Sequence, residues 1–248
     1  MKKFKKLIPA LCMLLVSAVL MGTSTFAWFS MNKTATVNGL SVKANAESIY
    51  LLVSNTPASN TAELIQAENG GKGFTSVSET VNNSVLKPAA LATKATKDGV
   101  KETTITDYSL VSSWYTADAI DASASAVKAD SEKKLTTFDG YVLTYTYRLT
   151  LAKGSTATSN LKVGTCTFEA KGGKTIDAAR VLVVCNDRTE EFKPGTTAGN
   201  VKLADDISDS TVVEVKVYVY IDGNDTSIYT NNVANLDQAN ITLTFVVD

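Results

Sequence analysis

The side chains with the greatest scope for chemistry are two carboxylate pairs, Glu190-Glu191 and Asp205-Asp206, and an oxygen-rich run, Asp222-Gly223-Asn224-Asp225. Paired carboxylates serve as acid and base in glycoside hydrolysis. Adjacent strand residues point to opposite faces, however, and adjacent acids in loops are solvated. The Asp222 run lacks the spacing and distal glutamate of an EF-hand and reads as a turn, the everyday use of Asp-Gly and Asn-Asp. Gly70-Gly71-Lys72-Gly73 has neither the Ser/Thr nor the upstream glycine of a phosphate loop.

The chain contains no histidine, which removes the commonest general base and the commonest zinc ligand together. Ser-His-Asp, Cys-His and HExxH sites are excluded. Of the three cysteines, Cys12 lies in the leader described below, and Cys166 and Cys185 are too few for a cysteine-based zinc or iron–sulfur site. No catalytic residue, metal ligand or cofactor site is assigned, and the chain is expected not to be an enzyme. An aromatic stripe, Tyr141, Tyr145 and Tyr147, suits cross-strand packing better than glycan stacking.

The elements that hold these residues are strands. Tyr141 to Leu151 alternates apolar and polar residues over its whole length, Val213 to Ile221 does the same, and Ile241 to Val247 closes the chain likewise. Leu40, Val42 and Ala44 with Ile49, Leu51 and Val53 make an N-terminal pair, and Tyr108 to Tyr115 is a weaker strand. Leu161–Ala170 and Ile176–Cys185 flank Lys171-Gly172-Gly173-Lys174, the signature of a hairpin turn. That hairpin would put Cys166 and Cys185 on neighbouring strands, where a cross-strand disulfide and two buried free thiols are both open readings. Polar tracts at about 55–106 and 116–138 hold loops and one or two short helices, with helical spacing at Ala62–Ala67 and Ala117–Lys134. Strands and turns without βαβ alternation predict an all-β fold, a two-sheet antiparallel sandwich of jelly-roll type with long polar loops.

The first 27 residues are expected not to belong to that fold. Lys2, Lys3, Lys5 and Lys6 precede an apolar stretch from Leu7 to Met21, and Thr25-Phe26-Ala27 places small residues at −3 and −1. This is a secretory signal peptide, cut between Ala27 and Trp28. The stretch is shorter than the roughly 20 residues a bilayer span needs, so no stable membrane span is expected after processing. Removing four lysines and no acids leaves 20 basic and 25 acidic residues, a net charge of −5 without a nucleic-acid footprint. Residues 28–248 are expected to form one β-sandwich domain with a flexible N-terminal segment at about 28–36, secreted and extracellular or cell-surface associated.

After the cleavage site come Trp28-Phe29-Ser30 and then Asn32-Lys33-Thr34-Ala35-Thr36-Val37-Asn38-Gly39-Leu40-Ser41-Val42-Lys43-Ala44. This run resembles the start of the mature chain in the TasA/camelysin family, an aromatic-rich opening followed by a polar spacer and a G-[TLM]-x-[LV]-x-A strand. The likeness covers about 20 residues. It implies a jelly-roll subunit of extracellular fibres in a biofilm matrix, a homopolymer exported through a dedicated signal peptidase. Camelysin itself is described as a surface metalloprotease, an activity for which this chain has no histidine. If assembly follows donor-strand logic, Trp28, Phe29, Ala35, Val37, Leu40 and Val42 would dock on the next subunit; the alternative is that they form an ordinary first strand in their own. A monomeric secreted adhesin, or a module binding a glycan or host surface, is the other functional expectation.

Overall fold

The computed structural model describes residues 40–45, 51–55, 76–78, 86–101, 107–117, 120–121, 126–130, 133–152, 160–170, 177–196, 198–225 and 239–247, all within the unit Val37–Asp248. The expected signal peptide and cleavage site, Trp28, Phe29, Ala35, Val37 and the helix expected at Ala62–Ala67 lie outside them. Ten strands build two five-stranded sheets. The first runs β14 (Lys202–Asp205), β11 (Asn160–Ala170), β16 (Ala239–Val247), β1 (Leu40–Asn45) and β3 (Ser76–Ser78). The second runs β13 (Arg188–Phe192), β12 (Ala179–Cys185), β15 (Val213–Ile221), β10 (Val142–Leu151) and β2 (Leu51–Ser54). Every pairing is antiparallel except that of β1 with β16.

Alternation turns this pairing into a sandwich. Tyr147, Leu149 and Leu151 of β10, Val181, Val183 and Cys185 of β12, and Val215, Val217 and Val219 of β15 meet Leu161, Val163, Cys166, Leu203, Ile241, Leu243 and Phe245 of the opposite sheet in one buried core. Each such apolar side chain stabilises the fold by roughly 1.5–3 kcal/mol on burial. The fold is all-β, as the period-two runs require.

Three sequence expectations about pairing fail. The Leu161–Ala170 and Ile176–Cys185 runs do not form a hairpin, because β11 pairs with β14 and β16 in one sheet and β12 with β13 and β15 in the other. Cys166 and Cys185 are accordingly not on neighbouring strands, and both are free, buried thiols. The N-terminal pair also separates, β1 into the first sheet and β2 into the second. Leu40 and Val42 thus occupy a strand paired along its length with β16 and, at Ser41–Lys43, with β3, with Leu40 opposite Ile241 and Val42 opposite both Leu243 and Val77.

The described residues between 86 and 141 cover the outer face of the second sheet. Their described strands are short: β4 (Ala89–Leu91) with β7 (Trp114–Thr116), β5 (Thr96–Lys97) with β6 (Val100–Lys101), and β8 (Ile120–Asp121) with β9 (Ala126–Val127). Asp98 and Gly99, both at positive φ, make the β5–β6 turn. The helix expected over Ala117–Lys134 is replaced by β8 and β9. The alanine spacing there yields to tertiary pairing, with the Ala129 amide donating to Thr96 O at 2.5 Å and the Val127 amide to Asn224 Oδ1 at 2.7 Å. Among the described residues the helical turns are two 3₁₀ segments, Ala92–Lys94 and Val111–Ser113. The strand expected over Tyr108–Tyr115 is confined to its end.

This cover is anchored by Trp114. Its ring lies 5.0 Å from that of Tyr220 and 6.2 Å from that of Phe138, both edge-on, and 5.7 Å from that of Tyr218, while its indole N–H donates to Tyr108 O at 3.0 Å. Tyr218 and Tyr220, which alternation alone placed on a polar face, are buried beneath it with Leu182 and Val142. Replacing Trp114 by alanine is expected to cost about 3–5 kcal/mol, the usual range for an aromatic removed from a core, read as the shift in urea denaturation of the purified protein.

Candidate functional site

The chain crosses from β12 to β13 through Asn186, at positive φ, so Glu190 and Glu191 sit opposite Val183 and Leu182 on successive positions of an edge strand. Their side chains diverge as strand geometry requires. Glu190 Oε1 accepts from the amides of Asn200 and Val201, at 2.7 and 3.3 Å, and ties β13 to the chain leading into β14. Beside it Arg188 donates to Lys202 O and to Asp205 Oδ2, at 3.1 and 2.8 Å, and hydrogen bonds from Lys202 first and Arg188 second hold the Asp205 carboxyl below the ordinary range. Asp206 adopts positive φ at the end of β14. Neither acidic pair presents two carboxylates to one point.

Glu191 turns the other way and enters a polar network that unites four separate parts of the chain. It accepts from Lys94 Nζ, at 2.7 Å through Oε1 and 2.5 Å through Oε2, and from the buried Tyr220 hydroxyl. Lys94 Nζ also lies 3.7 Å from Asp222 Oδ2. Arg180 pairs with Asp222 at 3.4 Å and Asp225 at 2.8 Å, and its Nη1 donates to Asp177 O and Ala179 O at 2.6 and 2.8 Å. Arg180 and Asp222 are 7% and 5% exposed, a degree of burial that charged groups sustain only when paired.

The turn reading of Asp222-Gly223-Asn224-Asp225 stands. The Asp225 amide closes on Asp222 O at 3.0 Å, Asp222 Oδ1 takes the Asn224 amide at 3.0 Å, and the Gly223 amide donates to Ala89 O at 2.8 Å. Glycine is required here, since a Cβ at 223 would lie 2.3 Å from that of Ala117. Its carboxylates face arginine and lysine rather than a vacant cation position. Among the described residues no group of three metal-ligating side chains occurs, and no helix is long and apolar enough to cross a membrane.

Lys94, Arg180, Glu191, Phe192, Lys193, Thr196 and Asp222 line a cleft of about 270 Å³. Its rim is Lys193-Pro194-Gly195-Thr196, in which the Thr196 amide donates to Lys193 O at 2.9 Å and Gly195 has φ 85°. Proline then glycine at positive φ is the type II pattern, which fixes the rim rigidly. Sequence reasoning missed this site: Lys94 and Glu191 are 97 residues apart, and nothing in their spacing links them. The one local signal was the Pro-Gly turn. Of the tyrosine stripe, Tyr145 and Tyr147 stack at 6.3 Å on the core side of β10, whereas Tyr141 packs beneath the cover with Lys87 Nζ 5.5 Å from its ring centre.

No protein-family model, curated protein or solved structure matches this chain.

Two outcomes follow from the electrostatics. Arg180→Met leaves Asp222 and Asp225 without their main compensating charge and is expected to cost about 3–5 kcal/mol in urea denaturation. Burial, and secondarily Glu190, pushes the Cys166 thiol up to about 12; burial pushes Cys185 to about 11 and Tyr218 to about 12. Tyr220 moves well upward, through burial first and then Glu191 and Asp222. These groups stay neutral when folded but ionise when unfolded, so their stabilisation is complete below about pH 9 and is lost as pH rises toward 12. Denaturation midpoints measured between about pH 8 and about pH 11 should fall monotonically across that window.

Proposed function

We propose that this chain is a non-catalytic extracellular structural protein, a subunit of biofilm-matrix or cell-surface fibres that assembles through the start of its mature chain. The observation that carries the reading is the Trp28–Ala44 run, which follows an export signal and resembles the mature start of the TasA/camelysin family. Trp28 and Phe29 are large apolar residues at a new chain end, and covering each with a neighbouring subunit is worth roughly 1.5–3 kcal/mol.

The twelve residues from Trp28 to Gly39 precede β1 and, extended, would reach about 40 Å. That is enough to lie along a second subunit. Because Leu40 and Val42 are paired within their own sheet, the docking segment is narrowed to Trp28, Phe29, Ala35 and Val37. Such a segment would add as a strand to a sheet edge of the next copy, with backbone hydrogen bonds supplying affinity and alternate side chains supplying register. The contact is head-to-tail and does not close on itself, so it propagates as a filament.

Negative-stain electron microscopy of the protein beginning at Trp28, beside a variant lacking residues 28–35, tests this. Concentration-dependent filaments are expected from the first and none from the second. Folded monomers from both, at high concentration, would overturn the fibre reading, and filaments from both would overturn the docking segment.

A further inference from the structure

The Lys94–Glu191–Asp222 cleft has unused hydrogen-bonding capacity of a particular kind. Its floor is lined by ion pairs: Lys94 and Arg180 face Glu191 and Asp222, Asp225 behind Arg180 makes three carboxylates against two cations, and Lys193 at the rim brings the sum to zero. A carboxylate can accept about four hydrogen bonds, and Glu191 takes three, two from Lys94 and one from Tyr220. An Arg side chain has five N–H donors, of which Asp177 O, Ala179 O, Asp225 and Asp222 claim four. Among the described residues, one acceptor site on Glu191 and one donor on Arg180, both lining the cleft, therefore remain. On the rim, the rigid Pro194-Gly195 turn holds Lys193 and Thr196 side by side, and no described carboxylate pairs with Lys193.

This inventory selects among ligands. A metal cation is opposed by Lys94 and Arg180, which hold Glu191, Asp222 and Asp225 in ion pairs. A phosphate dianion would sit against Glu191 and Asp222. An apolar group has little apolar lining to meet. Neutral hydroxyls, which donate to carboxylates and accept from ammonium and guanidinium groups, suit the floor, and such charge-assisted hydrogen bonds are the stronger kind. One negative charge at the rim suits Lys193. The volume of about 270 Å³ lies just below the roughly 300–1,000 Å³ of drug-sized sites, so it takes one ring rather than a chain.

We propose that this cleft binds a single carboxylate-bearing sugar ring, a hexuronate unit, with its hydroxyls on Glu191, Arg180 and Thr196 and its carboxylate on Lys193. The site does not rest on fibre formation and would operate in a monomer or in a polymer. It would give an exported chain a hold on acidic polysaccharide.

Titration calorimetry of the purified protein with glucuronate, a glucuronate-containing oligosaccharide and the matching neutral glucose oligosaccharide tests it. Saturable binding of the acidic probes is expected, with the neutral one weaker by about tenfold or more, the value of one charged hydrogen bond. Lys193→Met should erase that preference, Glu191→Gln should weaken acidic and neutral probes alike, and Lys97→Met, an exposed charge lost on the β5–β6 turn, should change nothing. Binding of the oligosaccharide but not of free glucuronate would assign the site to a polymer unit, and equal binding of both to the ring alone. Absence of saturable binding overturns the proposal, as does equal weakening by Lys97→Met and Lys193→Met. Because Lys193 is exposed, its variant folds irrespective of the network, and an unchanged affinity there is decisive against the site.

Discussion

Strand β15 is buried on both faces, and most of the architecture follows from that condition. Its odd positions, Val215, Val217 and Val219, enter the core between the sheets, while Tyr218 and Tyr220 enter the second core under residues 86–141. A strand in that position must be central, so β10 and β12 flank it, and its sheet cannot leave its outer face to water. The cover is held to it by aromatic packing on Trp114 and by the Gly223–Ala89 hydrogen bond just past its end. Asp222, the next residue after β15, is thereby carried into the interior, where it needs Arg180.

Apolar packing alone would let the cover slide along the tyrosine face, since ring contacts tolerate displacement. The polar network does not. Glu191 must meet Lys94 and Tyr220 at once, and Arg180 must meet Asp222 and Asp225, so one arrangement satisfies every buried charge and neighbouring arrangements strand at least one. Buried ion pairs of this kind add little net stability against a well-packed apolar alternative, because desolvation offsets most of the attraction. Their effect here is to set the register of the cover, and the same constraint leaves the cleft lined by ion pairs.

What could be read in the sequence was strand identity, and what could not was strand partnership. Val213–Ile221 and Tyr141–Leu151 announce themselves by alternation, and their cores follow from it. Partnership depends on residues far apart in the chain, and the glycines at 172 and 173 suggested a local hairpin where β11 and β12 go to opposite sheets. β13 and β14 escaped notice because they are polar edge strands whose side chains pair with each other, as Arg188 does with Asp205, instead of alternating with apolar residues. The candidate site was illegible for the same reason: Glu191 reads as a solvated acid until a lysine 97 residues earlier folds against it.

The parallel pairing of β1 with β16 bears on the proposed role of the residues that precede it. A strand paired along its length on one side and over Ser41–Lys43 on the other has little free backbone to offer a second molecule, and removing it would expose the edges of β16 and β3 together. Exchange of β1 between subunits would therefore begin by disrupting the first sheet, whereas use of the residues before Leu40 leaves that sheet whole. The register of β1 on β16 runs from Leu40 opposite Ile241 to Asn45 opposite Val246, so the described strand begins at the residue that follows this segment in the chain. Assembly through residues 28–39 is in this sense compatible with a fold completed before polymerisation, and assembly through Leu40 and Val42 is not.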